Sequence, residues 1–254
     1  MSGFKIFDAH MHIPTYGPTM PEKKNKLLLE MQTNGIAEGI VISDSTMTSE
    51  IGTLQDCLDL FYDISKIHIV GGISIYHNYQ EQLRLLESVL AERKIVGVKL
   101  FCGHEAFYIT DRKLQPVYGL AEKYHVPILF HSEGENSKYA YYDSTYNAVL
   151  QHPEITFVCC HCHYPNVKEC FQQYKNISNI VYDMSSIVDM GISPGIKEAI
   201  ENQLNKFPDS IMFGSDYASC SQSEHLKFAM SLDIDDVIRR KLLYETAYSV
   251  YFLR

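Results

Sequence analysis

The stretch Lys5-Ile6-Phe7-Asp8-Ala9-His10-Met11-His12 opens the first regular element of the chain. It starts as a short apolar run, the kind a strand buried on both faces presents. It ends polar, in an aspartate and two histidines. No G-x-G-x-x-G turn follows, so the nucleotide-binding layout of an open, doubly wound sheet is absent. Outward from it, seven more short apolar runs repeat the pattern, over 39–43, 67–75, 96–100, 127–131, 155–161, 179–184 and 210–216. Amphipathic stretches alternate with them, over 21–34, 50–66, 78–94, 111–124, 139–152, 165–175, 194–207 and 235–253. Pro21 suits a first helical turn and Asn34-Gly35 a stop, while Asp111 and Asp235 are good N-caps. Eight strand–helix units in 254 residues predict an α/β fold, a single (β/α)8 TIM barrel, at most slightly distorted, with 1–254 as one domain.

Composition agrees and narrows the partners. With 46% apolar and 21% charged residues, the chain has the make-up of a globular domain that buries a sizeable core. Acidic residues number 31 against 22 basic ones, and the net charge of −9 repels phosphate. The basic residues are scattered, with Lys23-Lys24 and Arg239-Arg240-Lys241 the longest runs, so no nucleic-acid surface is expected. No run approaches the ~20 apolar residues that cross a bilayer, and Met1-Ser2-Gly3-Phe4-Lys5 has no signal-peptide layout. Seven cysteines, with Cys159, Cys160 and Cys162 crowded together, suit reduced thiols in a cytoplasm. The run Cys159-Cys160-His161-Cys162-His163 offers zinc-type ligands. No second cysteine pair stands at finger spacing, so a structural zinc site is not expected there.

In a β/α barrel the chemistry gathers at the C-terminal ends of the strands. Those ends carry His10 and His12, Ser43 or Asp44, Tyr76 or His77, Lys99, His131, His161, Asp183 and Asp216. Residues i and i+2 of a strand share a face, so His10 and His12 can converge on one ion. With His131 and Asp216 they form a candidate mononuclear site of three histidines and one aspartate, which suits a divalent metal, zinc first. A lone histidine is more often a hydrogen-bonded structural residue, so the expectation rests on the combination. Asp216 is placed both to ligate and to take a proton from water. His161 is a candidate base, electrostatic stabiliser or second-metal ligand, and His163 a weaker one.

Lys99 sits inside the apolar run Val96-Gly97-Val98-Lys99-Leu100, where a cation is costly unless paired or used. It is ion-paired to a neighbouring strand's carboxylate, or binds a substrate carboxylate, or is carboxylated and bridges two metals. The metal count is therefore one, or two if Lys99 is carboxylated. His77 and His104 lie in loops on the same rim, and His104 with Lys99 makes the candidate substrate-binding pair. Glu133 is a further acid at the mouth, whereas His68, His125, His152 and His225 fall at strand starts or on helices, away from it. Tyr139, Tyr141, Tyr142 and Tyr146 follow strand 5 and read as an aromatic lid, an oligomer contact or the packed first turn of a helix.

These residues, in this order, resemble the amidohydrolase superfamily, specifically its amidohydrolase-related branch of hydrolases, lactonases and non-oxidative decarboxylases. The resemblance covers nearly the whole chain. It runs from Phe7-Asp8-Ala9-His10-Met11-His12 through Gly97-Val98-Lys99-Leu100, with Phe107, Tyr108 and Asp111, to Pro127-Ile128-Leu129-Phe130-His131. It continues in Val158-Cys159-Cys160-His161, Met212-Phe213-Gly214-Ser215-Asp216-Tyr217 and the closing Lys241-Leu242-Leu243-Tyr244-Glu245-Thr246-Ala247. Departures are Ser132-Glu133-Gly134 after His131, Cys162-His163-Tyr164 after His161, and Thr246 where Asn is usual. The resemblance implies that His10, His12, His131 and Asp216 hold a divalent metal, usually zinc, and that His161 acts beside the metal or the substrate. It implies a metal-dependent hydrolase cutting a C–N or C–O bond of a small amide, lactam or lactone. Decarboxylation of a small carboxylic acid by the same site is the alternative, and a catalytically inactive binding barrel a minor one. Barrels of this family often dimerise, which adds a homodimer to the expected partners beside a small-molecule substrate.

Overall fold

The computed structural model describes residues 3–46, 49–133, 137–188 and 194–253. Eight parallel strands follow one another in chain order: β1 (Phe7–Met11), β2 (Glu38–Ile42), β3 (Ile67–Ile73), β4 (Gly97–Leu100), β5 (Ile128–Phe130), β6 (Phe157–Cys160), β7 (Ile180–Asp183) and β8 (Ile211–Met212). The ring closes between its ends: Ala9 N–H donates to Phe213 O at 2.9 Å, Asp216 N–H donates to His10 O at 2.8 Å, and Met11 bridges to Tyr217. The expected barrel is the fold, and its irregularity lies at this seam, where the β1 register shifts between Asp8 and Met11.

The helices outside it are α1 (Met20–Asn34), α2 (Leu54–Phe61), α3 (Tyr79–Ala91), α4 (Gln115–Tyr124), α5 (Tyr142–Gln151), α6 (Val167–Gln173), α7 (Pro194–Lys206), α8 (Gln222–Ser231), α9 (Asp236–Arg240) and α10 (Thr246–Phe252). Local chemistry sets their ends. Gly35, at φ +70°, stops α1 in the left-handed conformation that glycine adopts without strain. Thr53 and Asp56 form a reciprocal capping box on α2. Asp111 Oδ1 accepts from Lys113 N–H at 2.9 Å, and Asp235 Oδ1 from Ile238 N–H at 2.8 Å, as their cap positions predict.

Alternation along the strands sorts side chains into two layers. Phe7, Ala9, Ile40, Ile42, Val70, Leu129, Val158, Cys160 and Met212 fill the barrel. Val41, Ile69, Val98, Ile128, Phe130, Phe157 and Phe213 face the helices, each such burial contributing roughly 1.5–3 kcal/mol. α10 plugs the N-terminal end, with Tyr251 stacked on Phe7 at 6.4 Å between ring centres. The opposite end stays open. No helix among the described residues is long and apolar enough to cross a membrane.

Three features depart from the sequence expectation. α8 is an additional helix; its buried face carries polar Gln222 and His225 beside Phe228 and Ala229, which blurs its apolar periodicity. The last helix is one run broken by a π turn over Lys241–Glu245. The final residues of several expected strands leave the sheet, most of all 213–216, of which Asp216 reaches the cavity while Phe213 packs under the helices and Ser215 bonds Asp8. Of the tyrosine-rich stretch, Tyr146 packs against the core, 6.1 Å from the Tyr174 ring, and Tyr139 lies 4.8 Å from the Tyr108 ring. Residues 134–136 and the Tyr142 side chain lie outside the described residues.

Candidate metal centre

At the open end a cavity of about 600 Å³ takes its walls from His10, His12, Lys99, His104, His131, Glu133, His161 and Asp216, among others. The β1 pair sits at its floor. His10 Nε2 and His12 Nε2 lie 3.2 Å apart, and Asp216 Oδ1 is 3.5 Å from the first and 3.3 Å from the second. Two donors each ~2.1 Å from one ion at the tetrahedral angle stand about 3.4 Å apart, so these three fit a single divalent cation.

The rings are held from behind. His12 Nδ1 donates to Ile42 O at 3.0 Å; a carbonyl only accepts, so Nδ1 carries the hydrogen and Nε2 presents its lone pair. His10 Nδ1 lies 2.5 Å from Asp183 Oδ2, and Asp183 Oδ1 accepts from Ser185 N–H at 2.9 Å. A carboxylate or carbonyl behind a histidine is the support that metal-ligating imidazoles use. Close packing enforces it: a Cβ on Gly214 would lie 2.2 Å from Asp183 Oδ1. Burial lowers the pKa of His10, and those of His131 and His161 well below the usual histidine range, so these rings are neutral at neutral pH. Asp216 is held well below the usual carboxylate range; burial opposes this, but the neighbouring imidazoles of His12, His10 and His161 outweigh it.

His131 reaches the cavity but turns elsewhere. Its Nε2 lies 2.8 Å from Glu133 Oε1, and its ring is 4.2 Å from that of His104 and 5.0 Å from that of His161. His161 is aimed inward by an unusual turn, since His161, Cys162 and His163 have φ of +65°, +50° and +52°. Left-handed backbone costs roughly 1–2 kcal/mol per non-glycine residue. Here it is held by Ser185 Oγ, 2.9 Å from His161 Nδ1, and by His163 N–H donating to Ser132 Oγ at 2.9 Å. The turn sends His163 away from the cavity, into the layer between barrel and helices. His77 is exposed and does not line the cavity either.

Lys99 projects into the barrel, 1% exposed, and its Nζ donates to Cys160 Sγ at 2.9 Å. Of the three readings of Lys99, the ion pair with a neighbouring strand's carboxylate is not formed among the described residues. Sequence reasoning named Asp183 as a strand end without seeing its role behind His10. It missed Ser185, a residue type too common to signal anything, and Glu105, which accepts from Ser45 and Ser74 hydroxyls at 2.5 Å each on the far wall. It also missed the support behind the seam. Asp8, its carboxyl pushed by burial up to about 7, accepts from Ser215 Oγ at 2.6 Å and Gln222 Nε2 at 2.7 Å, and so ties α8 to β1.

Comparison with known proteins agrees with the barrel fold. The Amidohydrolase family model matches residues 69–253. No curated protein matches the chain. Among solved structures, an uncharacterised TIM-barrel protein of Bordetella bronchiseptica is similar at 20% identity and a TM-score of 0.79, over 97% of this chain and 98% of that one. A probable 2-pyrone-4,6-dicarboxylic acid hydrolase of Acinetobacter baumannii is similar at 13% identity and 0.66, over 97% and 99%. A dihydroxybenzoic acid decarboxylase of Polaromonas sp. JS666, solved with bound manganese, is similar at 13% identity and 0.65, over 100% and 98%. At these identities the likenesses show the fold, and the matched profile shows the family. The chain belongs to the amidohydrolase family of enzymes.

Proposed function

We propose that the protein is a metal-dependent hydrolase that cuts a C–N or C–O bond of a small amide, lactam or lactone at the floor of this cavity. The observation that supports it is the convergence of His10 Nε2, His12 Nε2 and Asp216 Oδ1 at 3.2–3.5 Å, with the far nitrogen of each ring tied down. These three would hold the ion, with His131 as the fourth donor once it turns from Glu133. Zinc is the first choice and manganese the second. When bound, the ion supplies Lewis acidity and makes water nucleophilic near neutral pH.

The chain's own groups do the rest. Asp216, ionised at the outset, takes the attacking water's proton and returns it to the leaving group. His161 Nδ1 lies 3.2 Å from Ser185 O, and a carbonyl only accepts, so Nδ1 carries the hydrogen and the Nε2 lone pair is left to act as a base or as a ligand to a second metal. Lys99 and His104 orient the substrate's polar end. All seven cysteines are buried and none is disulfide-bonded, which supports a reducing, cytoplasmic setting.

The test is a screen of amides, lactams and lactones, with metal counted by plasma mass spectrometry beside His12→Ala and Asp216→Asn. The expected result is one ion per chain fewer in His12→Ala, and turnover lower by about 10²–10⁴-fold in Asp216→Asn. Full turnover by Asp216→Asn refutes the mechanism. A second reading, decarboxylation, is favoured by the buried Lys99 cation, which has no carboxylate partner among the described residues and suits a substrate carboxylate. Release of CO₂ without uptake of water would select it.

A further inference from the structure

Ser132, on the cavity wall, backs onto a second cluster that the proposed hydrolysis does not use. Cys159 points outward from β6, Cys170 points inward from α6, and His163 enters from the left-handed turn. Their ligand atoms all lie within 4.8 Å of one another, and all three residues are fully buried. We propose that Cys159, His163 and Cys170 form a structural zinc site, separate from the metal centre at the mouth.

Four observations carry this. First, the missing cysteine partner of the run Cys159-Cys160-His161-Cys162-His163 is supplied by α6. Strand alternation turns Cys159 out while Cys160 points in toward Lys99, and Cys170 meets Cys159 one layer away. Second, the histidine is preset for a metal. His163 Nδ1 lies 2.8 Å from Glu133 O, and a carbonyl only accepts, so Nδ1 carries the hydrogen and Nε2 is the ligating nitrogen.

Third, the charges balance. Two thiolates and a neutral imidazole around Zn²⁺ sum to zero, which a fully buried site requires, whereas a monovalent ion would leave a buried negative charge. The ion replaces the thiol protons, which pass to solvent, and no oxidant is involved. Fourth, a neutral oxygen stands beside the histidine donor: the Tyr174 hydroxyl lies 3.3 Å from His163 Nε2.

The site has a structural consequence. His163 N–H and Nδ1 grip Ser132 and Glu133, on the loop that also carries His131. An ion on His163 therefore locks the strained turn that aims His161 into the cavity, from the side away from solvent.

The test uses the full-length His12→Ala, Asp216→Asn double variant, which empties the mouth, expressed with zinc and kept reduced. We expect one zinc per chain, with two sulfurs at about 2.3 Å in its X-ray absorption spectrum, and loss of that zinc when Cys170→Ala is added. A zinc-free double variant, or zinc with only nitrogen and oxygen neighbours, overturns the proposal. If Cys170→Ala does not fold, cobalt-loaded wild-type protein serves instead: thiolate-to-cobalt absorption in the near ultraviolet supports the site, and its absence overturns it. Failure of the mouth reading registers separately, as equal metal content in wild type and His12→Ala.

Discussion

Asp183→Asn changes a single group behind the metal centre, and the structure sets its cost. Both neighbours of the carboxylate are donors: His10 Nδ1 lies 2.5 Å from Oδ2, and Ser185 N–H lies 2.9 Å from Oδ1. A carboxylate accepts both, whereas an amide has one oxygen and one NH₂. Whichever way the amide turns, a buried N–H faces another donor, at a cost of about 1–3 kcal/mol. If the amide keeps Ser185, His10 Nδ1 must become an acceptor and its hydrogen moves to Nε2, the atom aimed at His12 and Asp216. An Nε2–H cannot ligate. Loss of such support typically lowers metal affinity by about 10–100-fold, equivalent to about 1.4–2.7 kcal/mol. The assay is competition against a chelator of known affinity, with nitrogen NMR of the His10 ring reporting its tautomer. Metal affinity within threefold of wild type, with the hydrogen still on His10 Nδ1, would refute this account of the site.

Gly214→Ala attacks the same carboxylate by steric means. Its Cβ would sit 2.2 Å from Asp183 Oδ1 and 3.0 Å from His10 Cβ, so the hydrogen-bonded pair must separate and stability should fall by about 1.5–3 kcal/mol; an unchanged melting temperature would contradict it. Lys99→Met should raise KM for a carboxylate-bearing substrate by about 10–150-fold, the equivalent of a 1.5–3 kcal/mol charged hydrogen bond, with kcat moving less. A larger fall in kcat than rise in KM would point to a different role. In the metal-free protein, burial depresses the pKa values of His10, His131 and His161. The unfolded chain therefore takes up protons first as pH drops below about 6.5, and stability falls by up to about 1.4 kcal/mol per histidine per pH unit. Denaturant midpoints measured from pH 7.5 to 5.5 should decline, and a flat profile would contradict the burial of these rings.

The sequence by itself determined the barrel and the floor of its site, because both follow from short-range periodicities. A strand buried on two faces reads as an apolar run wherever it occurs, and eight of them separated by amphipathic stretches leave one architecture of this length. His10 and His12 share a face because alternation has period two, although it is the register shift between Asp8 and Met11 that turns this face to the cavity. Asp216 was legible as a strand-end carboxylate.

What the tertiary structure decided was pairing between residues far apart in the chain. Asp183 stands behind His10 across 173 positions; Cys170 reaches Cys159 from a different layer; Lys99 ends beside Cys160 rather than a carboxylate; and His131 turns to Glu133. α8 escaped the periodicity because its inner face is paired with Asp8 through Gln222 rather than packed as oil. Each of these contacts depends on the register at which the strands close into a ring. A shift of one residue would reverse the face of every side chain on a strand, and that register is settled only when all eight strands and their helices pack at once.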